Sequence, residues 1–352
     1  MPAGAAPPKV RRCFVPPLPR TASPRSAFIS LLGLAAVTAI FAGPALGQPT
    51  SRAAAIRSRF EDPRGGVLVV AHRGCHNPSP RHGQAAAPEN SLAALENCVR
   101  LGADMMETDI RRAKDGTLVV IHDATVDRTT NGHGRVADLT LAELKDLRLR
   151  QNFGAAMSPE LTDQRVLTLD EILAAARGRI MLNLDIKEPI YPEVVAAAVR
   201  AGVADQVLVK IAVDRVEPPL ADQPPYRDTL FMPMVEQHRD QPKLDAGAIA
   251  AAQAGGTHRI AAVESVFLDQ AQLRDVRAAA GRAGFRLWAN TLTSVGVVSV
   301  LGLGGDLDAL RDHGRTWGRL IDAGVSVFQT DEPAELIDYL KRGDPKHDDG
   351  AR

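Results

Sequence analysis

Cysteine is scarce: three occur in 352 residues, at Cys13, Cys75 and Cys98. None stands in the Cys–His spacing of a zinc site. Net charge is lacking as well. The 42 basic residues are matched by 42 acidic ones, and no broad basic stripe argues for nucleic acid as a partner. No glycine-rich phosphate fingerprint follows the first apolar strand, which counts against a dinucleotide site. No repeat of solenoid period runs through the chain. The apolar run at 27–42 is shorter than the ~20 residues a membrane-spanning helix needs.

The surroundings of that run have the form of a secretory signal. Lys9, Arg11, Arg12, Arg20 and Arg25 lead into it, and Ala45-Leu46-Gly47 places small residues where a signal peptidase reads. Residues 1–47 are expected to be removed, with an uncleaved anchor as the alternative. Arg11-Arg12 leaves the export route open between the general and twin-arginine pathways. The remaining chain holds 37 basic and 42 acidic residues. It is expected in the periplasm or outside the cell, with no stable membrane span. An oxidising compartment permits a bridge between Cys75 and Cys98. Sequence separation gives no geometry for one, and the two are read as isolated thiols.

Residues 48–66 read as a polar lead-in. Strands are then expected at 67–71, 104–110, 180–187, 207–211, 230–235, 260–264, 285–290 and 325–330. A helix opens at Asn90-Ser91 and stops at Gly102, and others are expected at 168–177, 191–201, 245–254, 268–283, 307–323 and 333–341. A short return strand at 118–121 and an insertion at 123–166 interrupt the alternation. Within the insertion Thr140 and Glu143 form a capping box. Eight parallel strands with crossovers close a barrel, and such barrels run to ~250 residues. The expected architecture is α/β: a (β/α)8 TIM barrel over 67–342 with a small insertion after the second strand, and a polar tail at 343–352. An open doubly wound sheet is the alternative.

Chemistry concentrates at strand ends. Glu107 and Asp109 are two apart, so a strand projects both from one face, and Asp185 ends the next parallel strand. Three carboxylates there would be costly without a partner, and oxygen ligands favour Mg²⁺ or Ca²⁺. His72 and His122 follow apolar runs and can give or take protons near neutrality. Arg73 and Lys187 suit a phosphate, as a planar fork and a point charge. Glu89 is placed to hold the Arg73 guanidinium or to reach a metal. Trp288 ends a strand, where it either packs on substrate or fills the core. His76, His82 and Lys210 read as solvated.

The strings His72-Arg73-Gly74, Pro88-Glu89-Asn90-Ser91, Glu107-Thr108-Asp109, His122-Asp123 and Asp127-Arg128-Thr129-Thr130-Asn131-Gly132 occur in that order. In wording and spacing the series resembles the glycerophosphodiester phosphodiesterase family. The resemblance is dense from 67 to about 147, continues to 187, and is thin afterwards until Trp288 and Thr330-Asp331. It implies a barrel hydrolase that converts a small-molecule glycerophosphodiester to an alcohol and sn-glycerol 3-phosphate, with one divalent cation. Glu107, Asp109 and Asp185 would hold the cation, His72 and His122 would be acid and base, and Arg73, Lys187 and Trp288 would contact substrate. One departure stands out: the family usually has Glu where this chain has Asp185. A phospholipase D-like or phospholipase C-like enzyme acting on lysophospholipid, sphingolipid or phosphoinositide is the alternative on the same barrel. A catalytically silent phosphodiester-binding protein is the alternative outside enzymes.

Overall fold

The computed structural model describes residues 51–153, 156–293 and 302–343. The expected signal segment and the polar tail beyond Gly343 lie outside them. Eight strands form the barrel: β1 (Leu68–Ala71), β2 (Met105–Arg112), β3 (Met181–Ile186), β4 (Val207–Ala212), β5 (Leu230–Glu236), β6 (Ala262–Val266), β7 (Arg286–Asn290) and β8 (Val325–Thr330). Each pairs in parallel with its sequence neighbours, and β1 pairs with β8 as well as β2, which closes the cylinder. Closure settles the architecture as a (β/α)8 barrel, because each of its eight strands is paired on both sides.

Period-two alternation divides the barrel interior into two layers. Leu68, Val70, Met105, Met181, Leu208, Met232, Ala262, Trp288 and Val327 form one buried apolar cluster. Two residues further along, the same strand faces carry His72, Glu107, Asn183, Lys210, Glu264, Asn290 and Gln329, all buried. Only β5 continues with an apolar residue, Met234. The barrel is therefore oily toward the N-terminal ends of its strands and polar toward their C-terminal ends. A larger apolar cluster lies between the outer faces of the strands and the helices.

The lead-in is a helix, Arg52–Glu61, which the sequence reading missed. Ser51 caps it, accepting from the Ala54 N–H at 3.2 Å. Ala53, Ile56 and Phe60 share one face and are buried, and Ile56 and Phe60 join the apolar layer inside the barrel. Phe60 meets Trp288 edge-on, with ring centroids 6.4 Å apart. The buried Arg286 guanidinium donates to the carbonyls of Arg59 and Asp62, each at 3.0 Å, and to that of Gly66. With three buried apolar residues among three arginines, the stretch looks polar in sequence. Its helical face becomes apparent only against the barrel floor.

Most other expected helices form. Ser91 caps Leu92–Leu101, and Gly102 ends it at φ +87°. The capping box of Thr140 and Glu143 opens Leu141–Asp146. The helix expected over 307–323 is instead broken into Asp306–Ala309, a π-helical turn at Gly314–Gly318 and Arg319–Asp322. Glycines at 314 and 318 lower the helical preference there. Strand β6 starts two residues later than expected, which puts Glu264 in its middle. The insertion after the return strand Leu118–Val120 builds a small core of its own around Val126, Val136, Leu144, Leu149 and Val166.

The isolated-thiol reading is overturned: Cys75 and Cys98 form a disulfide, with Cα atoms 5.1 Å apart. The bridge ties the loop after β1 to the helix Leu92–Leu101. Folding brings the two positions within bridging range, which a separation of 23 residues does not reveal.

Two stability measurements test this description. Phe60→Ala should cost about 3–5 kcal/mol in a denaturant titration, since it empties a site between the helix and Trp288. The double change Cys75→Ser and Cys98→Ser should cost about 3 kcal/mol, and reducing agent should reproduce that loss in the unchanged protein.

Candidate active site

The polar layer opens at the C-terminal mouth of the barrel. Register places Asp109 beside Asp185 and Glu107 beside Asn183 on neighbouring strands. Glu107, Asp109 and Asp185 each present an oxygen within 4.8 Å of the others. Glu107 and Asp109 are fully enclosed, and Glu107 Oε1 has no hydrogen-bond partner. The Glu107 Oε2 atom accepts the Arg73 backbone N–H at 2.8 Å. Lys187 Nζ lies 3.0 Å from Asp109 Oδ1 and 2.9 Å from Asp185 Oδ2. An all-oxygen donor set with an unsatisfied buried carboxylate oxygen fits a hard divalent cation.

The surroundings separate the three carboxyls electrostatically. Burial, then Asp109 and Asp185 beside it, pushes Glu107 well up from the ordinary carboxylate range. Burial would also raise Asp109, but Lys187 and Arg73 outweigh it and hold it below the usual value. Asp185 is only partly buried; desolvation would raise it as well, but Lys210 and Lys187 bring it far down. The lysines are correspondingly raised, against the desolvation that alone would lower them.

Each candidate histidine has a carboxylate at Nδ1. His72 Nδ1 is 2.7 Å from Asp331 Oδ1, and His122 Nδ1 is 2.6 Å from Asp123 Oδ1. A carboxylate there favours the tautomer protonated on Nδ1 and leaves Nε2 as the acceptor. Burial lowers the His72 pKa despite the opposing pull of Asp331. Asp331 is held well below its usual value because His72 and His76 outweigh its own burial.

Arg73 is fixed on both sides. Its NH1 donates to Glu89 Oε1 at 3.1 Å, and its Nε is 3.7 Å from Asp109 Oδ2. Arg128, delivered by the insertion, donates to both Glu89 and Asp123 at 2.7–3.0 Å. Glu89 therefore links two guanidiniums and is not part of the three-carboxylate group. Arg73 and Asn90 both take left-handed backbone conformations, with φ of 54° and 57°. Asn90 donates to Asp109 Oδ2 at 2.8 Å and accepts from the Thr108 hydroxyl at 2.7 Å. Gly74, at φ +87°, leaves no room for a side chain: a Cβ would stand 2.7 Å from that of Ala94.

Four sequence readings are corrected. Trp288 does not face substrate; it is fully buried in the apolar layer, and its indole N–H donates to Asn290 Oδ1 at 3.0 Å. Lys210 is 5 % exposed and pairs with Glu264 at 3.1 Å and Asp185 at 3.6 Å. His76 is buried with Nε2 3.6 Å from Asp331 Oδ1. His82 joins the last helix through Asp338 at 2.7 Å. Asp331, Asp123, Arg128 and Asn90 lie in the site, although the sequence reading gives them no role there. All four stand inside the family strings, and that position is the available clue.

Fold and site together define a barrel protein with an acidic mouth flanked by two His–Asp pairs. Residues 72–217 match the model of the glycerophosphoryl diester phosphodiesterase family, and residues 231–340 match a domain of unknown function. The chain carries a domain of the glycerophosphoryl diester phosphodiesterase family. It is 41% identical over 138 residues to a glycerophosphodiester phosphodiesterase of Caldanaerobacter subterraneus subsp. tengcongensis, covering 38% of this chain and 52% of that protein. Glycerophosphodiester phosphodiesterase 1 of Mus musculus is 38% identical over 126 residues, covering 36% and 35%. The chain thus spans about half the length, or less, of the curated relatives it matches. Among solved structures, a glycerophosphoryl diester phosphodiesterase of Parabacteroides distasonis shares the fold with TM-score 0.60 and 23% identity, covering 82% and 92%. An Oleispira antarctica phosphodiesterase, solved with the product sn-glycerol-3-phosphate, gives TM-score 0.52 and 20% identity, covering 78% and 97%.

Glu332, next to Asp331, offers a test by pH. Burial pushes its carboxyl up to about 7, although Asn77 donates to it at 2.9 Å. The unfolded group ionises near the ordinary carboxylate value, so the folded state loses stability as pH rises from there to about 7. Glu332→Gln should therefore raise the melting temperature at about pH 8 and leave it nearly unchanged at about pH 4.

Proposed function

We propose that the chain hydrolyses glycerophosphodiesters to an alcohol and sn-glycerol 3-phosphate. The observation that carries this reading is the convergence of Glu107, Asp109 and Asp185 with two His–Asp pairs and two phosphate-seeking cations at one mouth. The family domain and the names of the relatives support the same reaction class. Mg²⁺ or Ca²⁺ held by the three carboxylates would supply Lewis-acid stabilisation of charge on the phosphoryl oxygens. Arg73, braced by Glu89, orients the phosphate, and Lys187 adds positive charge beside it.

His72 and His122 divide the proton transfers. One Nε2 takes the proton of the attacking glycerol hydroxyl, and the other imidazolium protonates the leaving alcohol oxygen. The attack forms a cyclic phosphate, and water opens it by the same pair working in reverse. Asp331 and Asp123 hold the two rings and stabilise them when charged. Asp185, one methylene shorter than the usual Glu, is oriented by Lys187 and Lys210. Export is part of the proposal, supported by the N-terminal sequence and by a disulfide that suits an oxidising compartment.

The test is release of glycerol 3-phosphate from glycerophosphocholine and glycerophosphoethanolamine, with lysophosphatidylcholine alongside. Chelation should abolish turnover of the first two while the protein stays folded, and one of Mg²⁺ or Ca²⁺ should restore it. Turnover of the lysolipid alone would move the function to a phospholipase. His72→Ala and His122→Ala should each lower kcat by about 10²–10⁴.

A further inference from the structure

One buried acid has no part in the mechanism above. Asp306 is wholly enclosed at the start of the short helix Asp306–Ala309. Its Oδ2 accepts the Asp331 backbone N–H at 2.8 Å and the Thr330 hydroxyl at 2.9 Å. Its Oδ1 accepts the Thr291 hydroxyl at 2.6 Å, and its own N–H donates to the Thr291 carbonyl. Asp306 thus staples the residue after β7 to the residues that end and follow β8.

Those residues set His72. Asp331 Oδ1 faces His72 Nδ1 at 2.7 Å, and Asp331 Oδ2 accepts the Thr293 N–H at 2.8 Å and its hydroxyl at 2.6 Å. Both carboxylate oxygens of Asp331 are committed, and its backbone is held by Asp306. Thr291 and Thr330 are as fully buried as Asp306 and Asp331 is nearly so, which strengthens these hydrogen bonds. We infer that Asp306 is a positioning residue for His72: it fixes Asp331, and through Asp331 the orientation and tautomer of the imidazole. Charge distribution agrees. Burial, with Asp331 beside it, pushes Asp306 well up, while His72 and His76 keep Asp331 low despite its burial.

This inference rests on the proposed hydrolysis for its kinetic arm alone. The experiment compares Asp306→Ala, Asp306→Asn and Thr293→Val with the unchanged full chain. It reads kcat, KM, melting temperature and the ¹⁵N shifts of labelled histidine. Asp306→Ala should lower kcat by about ten- to a hundredfold with KM little changed, because a ring displaced by a fraction of an ångström loses proton transfer more than binding. His72 should leave the Nδ1-protonated tautomer for a mixture. Asp306→Asn, which keeps an acceptor for the Asp331 N–H, should recover most of both signals. Thr293→Val removes one donor to Asp331 without disturbing Asp306 and should show a smaller loss of the same kind, which serves if Asp306→Ala does not fold. Unchanged kcat and tautomer in folded variants, with only a lower melting temperature, would overturn the inference. If the unchanged protein hydrolyses no diester, the functional proposal fails, and the ¹⁵N shifts alone still decide the role of Asp306.

Discussion

Three carboxylates packed side by side in a closed barrel are the constraint to which this structure answers. Glu107, Asp109 and Asp185 lie on adjacent strands whose register fixes their separation. Their repulsion has to be offset, since Glu107 and Asp109 are shielded from water. Lys187 sits between Asp109 and Asp185, Lys210 approaches Asp185 as well, and Arg73 lies on the other side of Asp109. Those cations have their own partners: Glu89 for Arg73, and Glu264 for Lys210. The polar layer is a network of alternating acids and bases in which Glu107 Oε1 is left without a hydrogen-bond partner, beside two further carboxylates that could share a divalent cation with it.

The two histidines show how a barrel assembles one pattern from unrelated parts. His72 ends the first strand and is met by Asp331 after the last, because β1 and β8 pair. His122 is met by its neighbour in sequence, Asp123, and the insertion reinforces that pair through Arg128. One pair depends on closure and the other on a local turn. The same chemical unit results because a carboxylate at Nδ1 is the simplest way to leave Nε2 basic. The disulfide and the bonds of Glu89 and Asn90 steady the segments on either side of Arg73.

Much of this was legible in the chain. Strand runs, caps and the capping boxes are local, so Leu92–Leu101 and Leu141–Asp146 appear close to where the sequence places them. The spacing of Glu107 and Asp109 is enough to set them on one face. The readings that failed concerned side chains whose state depends on distant neighbours. Trp288 serves the floor because Phe60 arrives from the N-terminal helix, and that helix shows little apolar surface by itself. Lys210 and His76 look like surface residues, yet they are buried beside acids contributed by other strands and loops.

The alternation of elements, the number of barrel strands and the residue types at the mouth are written locally in the chain. Local periodicity and local capping encode those. Tertiary structure decided which partners neutralise which charges, that Cys75 meets Cys98, and that Asp331 rather than a nearby residue holds His72. Those contacts join positions far apart in the chain, at distances set by barrel closure, and no short window of sequence contains both ends of them.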